Sequence, residues 1–506
     1  MRIPSFSTLL CNAWIVFSFV PDKPARFMTT HTQLTEADTR RGLRLNMVAG
    51  GLGVCWMAMT VSLPLTMFLE AMGAGGTQMG LSVTVQQLAM AIQIPAALWV
   101  ERLSRRKPFW AAAAIPHRLI WLIPALILFF PSLPHATTIT LTLMVVALSS
   151  ILAHASVPAW FSWMADLVPV GVSGRFWGLR QSVTTAAFVF GMGLTGWILD
   201  KADGLQGFQI VFMLGAMLGT ADIFVHLAVP EPRPHTEAHR RALRERFRAP
   251  WRNPDFVWLT LALGTWAFSA SLHASFTPVY LKRAFDIEYR HLVLLPVAGA
   301  LSAILSGIPI GKCIDKLGAR GVGVLLMLLG PALAFFWFLL YPGSLQLGPL
   351  QLPRPIAVLL VSHVLAGGLY AGIGLCQIHL VNTITARGGR TLAMAMHWST
   401  VGAMAALGPL CGGAFMDLWT QNGWDRVTPW GASFTFFQAL VLVHVLLAWG
   451  VAIPLLRKVK TKTGEFSARM ILAGLRTGNP FRPLFPTASG YLNTLDPTPA
   501  SQKNKK

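Results

Sequence analysis

Long apolar runs separated by short polar segments make up most of the chain. Each run is about 20 residues or longer, which is the length that lets an α-helix cross about 30 Å of hydrocarbon. Apolar positions are continuous inside a run, whereas the strands of a membrane β-barrel would alternate apolar and polar positions over about ten residues. The pattern therefore predicts an all-α, polytopic membrane protein.

Twelve such runs are present, and we number them helix 1 to helix 12 in chain order. The first six are Leu43 to Leu69, Thr77 to Val100, Pro108 to Phe130, Thr138 to Met164, Trp177 to Leu199 and Phe208 to Val229. The second six are Phe256 to Tyr280, His291 to Gly311, Arg320 to Tyr341, Pro355 to Val381, Thr391 to Met416 and Ser433 to Leu456. The count predicts two six-helix halves.

The segments outside the runs complete the predicted organisation. We predict an amino-terminal extension at 1–40, a first half at 41–229, a basic linker at 230–255, a second half at 256–456 and a polar tail at 457–506. The extension contains the apolar stretch Phe6 to Val20, which is too short to span a membrane comfortably. It is either signal-like or an upstream extension of the reading frame, with Met28 nearer the true start.

Composition agrees with this pattern, because 54% of the residues are hydrophobic and 12% are charged, against about a quarter charged in soluble proteins. The net charge of +21 would also suit a nucleic-acid partner, so the positions of the cations matter. Loops and helix ends on one side hold the basic clusters Arg40 to Arg44, Arg102 to Lys107, Arg240 to Arg252 and Arg457 to Lys462. The opposite loops hold only Lys201, Lys282, Arg283, Arg290, Arg354 and Arg426.

This charge asymmetry predicts an orientation. By the positive-inside rule it places both termini in the cytoplasm. We expect the protein in the inner (plasma) membrane of a cell. A nucleic-acid-binding protein would carry basic and aromatic residues on one soluble face, and no soluble segment is long enough to form such a domain. We therefore expect membrane lipid, and no nucleic acid, among the partners.

Candidate residues for catalysis or metal binding are not grouped in the sequence. Paired cysteine spacing is absent, which argues against a metal site or a disulfide framework, and the five cysteines are Cys11, Cys55, Cys313, Cys376 and Cys411. An enzyme would need a clustered nucleophile, a metal set or paired carboxylates, whereas the twenty acids lie mostly in loops. We expect no catalytic residues, no metal and no cofactor.

Three sequence landmarks occur twice, in the same order. Helix 2 ends in ALWVERLSRR at 97–106, and helix 8 ends in GKCIDKLGAR at 311–320. The pair Gly174-Arg175 precedes helix 5, as Gly389-Arg390 precedes helix 11. Helix 5 ends in GWILD at 196–200, and helix 11 ends in GAFMD at 413–417. Such repetition indicates two homologous halves.

From about Arg41 to Leu456 these landmarks resemble the major facilitator superfamily, whose loop motif after helix 2 reads Gly-x-x-x-Asp-Arg/Lys-x-Gly-x-Arg/Lys. The second copy matches this motif, and the first departs at Ala97, Glu101 and Ser104. The resemblance implies twelve helices in two pseudo-repeats, with loop charges that act as a conformational latch. The implied gating residues are Glu101, Arg102, Arg106, Arg175, Asp315, Lys316, Gly318, Arg320 and Arg390. The alternative is that they are ordinary interfacial charges.

Polar residues inside the apolar runs indicate a cavity, because lipid-facing positions rarely tolerate them. Trp266, Ser269, His273 and Thr277 share one face of helix 7. The same reasoning selects a set of candidate cavity residues on five helices. They are Gln86, Gln93, His154, Trp160, Trp266, His273, His363, Tyr370, Gln377 and His397.

The resemblance and the cavity residues together predict a secondary active transporter that moves a small solute by alternating access. A drug or metabolite efflux antiporter of the same fold is an alternative, because GPLCGG at 408–413 resembles an antiporter signature. A non-transporting receptor or scaffold is an alternative of another class. We expect a monomer whose partner is a small-molecule solute, with a proton or sodium ion as the candidate co-transported ion. His273 and His363 are the candidate proton carriers, whereas Asp222 is expected to pair with His226 or Arg118.

Overall fold

The structure is a computed structural model that describes residues 34–61, 63–130, 132–169, 172–232, 243–348, 350–385, 390–427 and 433–460. The apolar stretch Phe6 to Val20, Met28 and the tail from residue 461 onward lie outside the described residues.

Twelve helices in the described part are long and apolar enough to cross a membrane, which confirms the all-α prediction. The first six are Glu36–Ala71, Gly76–Val100, Lys107–Ile127, His135–Leu167, Arg175–Lys201 and Gln206–Leu227. The second six are Pro254–Phe285, Tyr289–Asp315, Ala319–Phe338, Arg354–Ile384, Ala393–Gln421 and Phe436–Arg457. The helical structure of helix 5 begins at Ser173, that of helix 8 ends at Leu317, and that of helix 11 begins at Arg390.

Helix 12 begins later than predicted. Ser433 is not helical but pairs in a short strand with Val427, in a hairpin of Arg426–Val427 and Ser433–Phe434. Thr435 is the N-cap, and its side chain accepts a hydrogen bond from the Phe437 amide. A hydroxyl cap of this kind satisfies an amide that has no partner inside the helix, so the cap decides the start. A second hairpin, Ser344–Leu347 with Leu350–Pro353, joins helices 9 and 10.

Several membrane helices are interrupted near proline, which removes a backbone donor and clashes with the preceding turn. Helix 7 consists of Pro254–Ala274 and Thr277–Phe285, with Pro278 in the first turn of the second piece. Helix 2 contains a 3-10 turn, Ala89–Ile92, just before Pro95. The predicted spans were continuous, so these breaks were not foreseen.

The helices pack in the same arrangement in each half. In the first half helix 1 packs on helices 5 and 6, and helix 4 packs on helices 2 and 3. In the second half helix 7 packs on helices 11 and 12, and helix 10 packs on helices 8 and 9. Between the halves, helix 2 packs on helix 11 and helix 5 packs on helix 8. The two sequence repeats are therefore also structural repeats.

The bundle has two ends. The linker end carries the connections between helices 2 and 3, 4 and 5, 6 and 7, 8 and 9, and 10 and 11, together with the start of helix 1 and the end of helix 12. The distal end carries the other connections. A short linker helix, Leu243–Trp251, packs its Phe247 and Trp251 against Phe256 of helix 7, while Arg248 and Arg252 are exposed.

Glycines bring helices 2 and 11 into close contact. A Cβ atom on Gly80 would lie 2.1 Å from the Pro409 carbonyl oxygen, and one on Gly413 would lie 2.1 Å from the Gly76 carbonyl oxygen. On the other side of helix 11, a Cβ on Gly412 would lie 2.1 Å from the Leu272 carbonyl oxygen of helix 7. The antiporter-like segment at 408–413 therefore packs helix 11 between helices 2 and 7.

Helix 8 carries glycines at 299, 307 and 311, and only part of this row is used for packing. A Cβ on Gly367 of helix 10 would lie 2.2 Å from the Gly299 carbonyl oxygen. Towards the linker end, a Cβ on Gly307 or Gly311 would meet no described atom within 4 Å. At the distal end of helix 5, by contrast, a Cβ on Gly196 would lie 2.9 Å from the Arg290 Cα atom of helix 8. Helices 5 and 8 therefore touch at the distal end, and the small residues further along helix 8 face open space.

Candidate functional site

A cavity of about 420 Å³ lies between the two halves, in the distal half of the bundle. Helices 1 and 2 contribute Val61, Leu63, Thr66 and Val83, and the remaining lining comes from the second half. The polar lining groups of the second half include His273, Thr277, Ser362, His363, Tyr370 and His444. Apolar side chains such as Leu281 and Trp337 form most of the wall. The cavity therefore has the character of a small-molecule site, mainly apolar with a few convergent polar groups.

Two histidines in the cavity have buried ring nitrogens without a partner among the described residues. Neither ring nitrogen of His273 is hydrogen-bonded, and its ring centroid lies 5.2 Å from that of His444. The Ser269 hydroxyl donates to the Trp266 carbonyl, so His444 Nδ1 must donate to Ser269 Oγ at 3.0 Å. His444 Nε2 is then a buried acceptor with no described partner. Buried polar atoms are normally satisfied, so these atoms indicate a position for a ligand or water.

His363 and Tyr370 face the same cavity from helix 10. His363 Nδ1 donates to the Leu359 carbonyl at 2.9 Å, which leaves Nε2 as the acceptor. The His363 ring lies 6.2 Å from the ring of Trp337. Tyr370 and His444 both pack against Trp266, at centroid distances of 5.8 and 5.5 Å. Trp266 therefore packs against two of the side chains that line the cavity.

Gln377 and His397 form a separate buried link. Gln377 Nε2 and His397 Nε2 are 2.9 Å apart, and His397 Nδ1 is 2.8 Å from Thr260 Oγ1. Thr260 donates to the Phe256 carbonyl, so His397 donates to Thr260 and accepts from Gln377. Both ring nitrogens are thus satisfied, and the group ties helices 7, 10 and 11 together. The structure places these two residues away from the cavity around His273.

The predicted cavity residues of the first half also belong to separate hydrogen-bonded groups. Gln93 Nε2 and His154 Nδ1 are 2.8 Å apart and join helices 2 and 4. Gln86 donates to the Ser82 carbonyl of its own helix. Trp160 belongs to a different group, because its indole Nε1 donates to His226 Nε2 at 3.0 Å.

A buried hydrogen-bonded network crosses the first half from helix 5 to helix 4. Arg180 Nε donates to Asn46 Oδ1 at 3.0 Å, and Asn46 Nδ2 lies 3.1 Å from His226 Nε2. His226 Nδ1 lies 2.9 Å from Asp222 Oδ1, and Arg118 donates to Asp222 Oδ2 at 2.9 Å. Both expected partners of Asp222 are therefore present.

The network continues from Arg118 to helix 4. Arg118 donates to His117 Nε2 at 3.0 Å, and His117 Nδ1 lies 2.7 Å from Ser149 Oγ. The Arg118 guanidinium also lies 3.7 Å from the centre of the Trp56 ring. We call the chain from Arg180 to Ser149 the first-half network.

At the linker end, the predicted gating residue Arg106 is buried and contacts three segments of the first half. It is 1% exposed and forms ion pairs with Asp166 at 2.5 Å and with Glu231 at 3.6 Å. It also donates to the Ser162 and Pro232 carbonyls. Arg106 thus ties the start of helix 3 to the end of helix 4 and to the chain after helix 6.

The corresponding residue of the second repeat makes an equivalent connection. Arg320, at the start of helix 9, donates to the Val459 carbonyl after helix 12 at 2.7 Å. Gly318 precedes it with φ of +76°, a conformation that glycine adopts without strain. Glu101, Arg102, Arg175 and Asp315 are exposed. The side chains of Lys316 and Arg390 lie outside the described part of the structure.

At the distal end, two carboxylates at equivalent positions of the repeats connect the two halves. Asp417, near the end of helix 11, accepts hydrogen bonds from the Gly76 and Thr77 amides at 2.5 and 2.8 Å. Asp200, at the end of helix 5, accepts from the Tyr289 and Arg290 amides, each at 2.9 Å. Each carboxylate therefore binds the amino-terminal end of a helix in the opposite half, where the helix dipole favours negative charge.

A further ion pair closes the same end of the interface. Arg283 of helix 7 binds Glu70 of helix 1 through two hydrogen bonds of 2.6 and 2.9 Å. We refer to Asp200, Asp417 and the Glu70–Arg283 pair as the distal latch.

Several functional candidates were missed by the sequence reasoning. His444 of helix 12 was not among the predicted cavity residues, although a histidine in an apolar run was itself a signal. Asn46, a polar residue in the apolar run of helix 1, gave the same signal, whereas Trp337 carried no distinguishing pattern. Asp200 and Asp417 were recognised as repeated landmarks, but their helix-capping role depends on contacts between the halves.

Comparison with known proteins identifies the fold. The sequence profile of the Major Facilitator Superfamily matches residues 45–352. Among curated proteins, none matches this sequence. Among solved structures, the nucleoside transporter NupG, in a mutant form, superposes with a TM-score of 0.66 at 14% identity, over 83% of this chain and 100% of that chain.

Two further structures are similar. A bacterial homologue of the iron transporter ferroportin, in its inward-facing state, gives a TM-score of 0.62 at 12% identity, over 84% of this chain and 99% of that one. A bacterial homologue of the human lysosomal transporter Spinster, inward-facing and unoccupied, gives 0.56 at 17% identity, over 84% and 95%. At these identities the likeness concerns the fold.

Proposed function

The chain belongs to the Major Facilitator Superfamily, and we propose that it is a secondary active transporter that moves a small solute across the inner membrane by alternating access. The observation that carries this proposal is the cavity between the halves, where His273 and His444 present buried ring nitrogens without described partners. A solute that enters this cavity can satisfy atoms that the protein leaves unsatisfied.

The contacts between the halves support a particular conformational state. The distal latch and the glycine contacts between helices 2 and 11 hold the distal end closed. Gly307 and Gly311 of helix 8 meet no described neighbour nearer the linker end. We assign the linker end to the cytoplasm from its basic clusters, so this state gives access from the cytoplasm. Transport then requires the distal latch to open while helices 5 and 8 approach each other at the linker end.

The cavity also favours one kind of solute. Its wall is mainly apolar, and its polar groups are imidazole, hydroxyl and phenol groups on helices 7, 9, 10 and 12. Such a site suits an amphipathic molecule that stacks on Trp337 and hydrogen-bonds to the histidines. His273 and His363 are the proposed proton carriers, because imidazole changes charge near neutral pH.

A thermal-shift screen followed by flux measurements tests the proposal. Purified protein is heated with a broad panel of solutes, at two pH values and with and without sodium. A solute at ten times its Kd is expected to stabilise the protein by about 1.4 kcal/mol. Stabilising solutes are then supplied to proteoliposomes under an imposed pH gradient, and we expect accumulation by the unmodified protein.

Substitution of the histidines separates proton coupling from binding. His273→Gln and His363→Gln are expected to abolish accumulation driven by the pH gradient, because glutamine does not titrate. His379→Gln is the matched control, since His379 is an exposed histidine of helix 10. Unchanged accumulation in both cavity variants would refute the coupling role, and the absence of flux for every stabilising solute would refute transport.

A further inference from the structure

Arg180 of helix 5 is a charged group whose hydrogen-bonding capacity is only partly used. Its Nε donates to Asn46 Oδ1, and its guanidinium lies 4.9 Å from the ring centre of Trp160 and 5.7 Å from that of Trp177. Among the described residues, no carboxylate forms an ion pair with it and no acceptor is bound to its two terminal nitrogens. Arg118, in the same network, instead binds Asp222 at 2.9 Å.

The charges of the first-half network do not cancel. Trp160 and Arg118 can only donate, so His226 Nε2 and His117 Nε2 are acceptors and both rings are neutral. Arg118 and Asp222 balance each other. The network therefore carries one net positive charge, which is that of Arg180. This charge lies inside a membrane-spanning helix, where it is costly and usually serves function.

The terminal nitrogens of Arg180 are accessible. Buried side-chain nitrogens without partners include Nε of Arg106 and Nε of Arg118, but no atom of Arg180. Gly50 provides the space for the guanidinium, because a Cβ atom there would lie 2.9 Å from Nη2. The Asn46 hydrogen bond and the two indole rings hold the group in place while its outer edge stays open.

We propose that Arg180 is an oxyanion-binding subsite of the solute path and that the molecule it binds carries a carboxylate or phosphate group. This inference rests on the proposed transport function and adds the charge of the cargo. A guanidinium fork binds such groups through two parallel hydrogen bonds, and the flanking indoles can stack on an aromatic or planar portion of the ligand. The same chemistry could be supplied by a soluble anion or by an anionic lipid headgroup.

Matched pairs of probes test this subsite. The full-length protein is placed in neutral phosphatidylcholine nanodiscs, and binding is measured by titration calorimetry for indole-3-acetate against indole-3-acetamide, benzoate against benzamide, and inorganic phosphate. A parallel set of nanodiscs contains phosphatidylglycerol, and thermal stability is compared with that in the neutral discs. We expect the anion of a pair to bind and the amide to bind at least about tenfold more weakly, because the charge-assisted hydrogen bonds are lost.

Two substitutions at one position separate charge from geometry. Arg180→Gln is expected to weaken anion binding at least about tenfold, and Arg180→Lys to retain part of it as a point charge. Arg457→Gln removes an exposed arginine at the same end of the bundle and is expected to leave binding unchanged. If Arg180→Gln does not fold, the lysine variant and the amide comparison still decide the question.

The outcomes distinguish the sources of the anion and the two proposals. Binding of soluble anions that depends on Arg180 supports a soluble cargo, whereas stabilisation by phosphatidylglycerol alone that depends on Arg180 supports a lipid headgroup. Equal binding of acid and amide, binding that Arg180→Gln leaves unchanged, or no Arg180-dependent effect in either kind of nanodisc would overturn the proposal. Flux of a neutral solute by a protein that shows no Arg180-dependent anion binding would overturn the subsite while leaving transport intact. Arg180-dependent anion binding without flux of any solute would support the subsite and overturn transport.

Discussion

Neighbours that can only donate hydrogen bonds determine the protonation of the buried histidines in the first half. The indole of Trp160 and the guanidinium of Arg118 each donate to a histidine Nε2 atom. His226 must therefore carry its proton on Nδ1, where it donates to Asp222. Asp222 receives a second hydrogen bond from Arg118. This arrangement explains how helix 6 can hold an aspartate whose side chain is only 5% exposed.

The Arg118–Asp222 pair leads to a stability prediction. Asp222→Asn and Arg118→Gln each leave one buried charge without its counter-ion, and each is expected to reduce the free energy of unfolding by about 3–5 kcal/mol. The double variant is expected to lose less than the sum, because neither charge remains. Equilibrium unfolding in mixed micelles measures the three values.

An exposed carboxylate provides the control for this cycle. Glu36 binds Arg40 at the start of helix 1 with its side chain 64% exposed, and exposed pairs contribute little. Glu36→Gln is therefore expected to have little effect on unfolding. Additive losses in the double variant would contradict the assignment of Arg118 and Asp222 as a coupled pair.

At the scale of the helices, the repeat places one carboxylate from each half on the first turn of a helix in the other half. Asp200 binds the start of helix 8, and Asp417 binds the start of helix 2. These contacts combine charge-assisted hydrogen bonds with the favourable end of the helix dipole. Because both contacts cross the interface, they must break when the halves separate at the distal end. In the proposed alternating-access cycle, the two residues would therefore stabilise one conformational state rather than the fold of either half.

Neutralisation of the latch is expected to shift the conformational equilibrium. Asp417→Asn and Asp200→Asn keep the shape of the side chain but remove its charge, which is expected to weaken the closed distal state about tenfold or more, because hydrogen bonds to charged groups contribute about 1.5–3 kcal/mol. Spin labels on cysteines placed at Asp203 and Asn422, both exposed at the distal end, report the separation. We expect a longer distance population in the variants.

The control for the latch is a distal aspartate with a partner in its own half. Asp425 accepts a hydrogen bond from the Trp419 indole at 2.8 Å, so Asp425→Asn is expected to leave the distance distribution unchanged. Identical distributions for Asp200→Asn, Asp417→Asn and the unmodified protein would show that the carboxylates do not hold the distal end.

For the whole molecule, the two halves repeat one packing arrangement and meet through helix 2 with helix 11 and helix 5 with helix 8. The terminal arginine of each loop motif fastens the carboxyl end of the sixth helix of its own half, through Arg106 to Pro232 and Arg320 to Val459. Each half is thereby tied together at the linker end, while the polar contacts between the halves described above lie at the distal end. Such an arrangement suits two bodies that move against each other.

The orientation of the molecule can be tested directly. Cysteines introduced one at a time at Arg252 and Arg457, both exposed at the linker end, are expected to react with a membrane-impermeant thiol reagent only from the cytoplasmic side. Cysteines at Asp286 and Asn422, exposed at the distal end, are expected to react only from the opposite side. Labelling of whole cells and of inside-out vesicles measures both. The reverse pattern would refute the orientation inferred from the basic clusters.

The sequence by itself determined the helical membrane fold, the number of spans and the repeat, because each follows from local properties. Apolar length decides whether a segment can span hydrocarbon, and Asp200 and Asp417 were recognisable as equivalent landmarks from their spacing alone. The helical faces of His273 and His363 were likewise predictable, and the structure brings both to one cavity.

Only the tertiary structure decided which polar residues act together. His397 and Gln377 were indistinguishable from His273 by sequence, yet they satisfy each other, whereas His273 has no described partner. Helix 12 supplied His444, and helices 1, 5 and 6 joined Asn46, Arg180 and His226 across long chain separations. Hydrogen-bond satisfaction depends on atoms that approach within about 3 Å, and that proximity is created by helix packing and not by spacing along one helix.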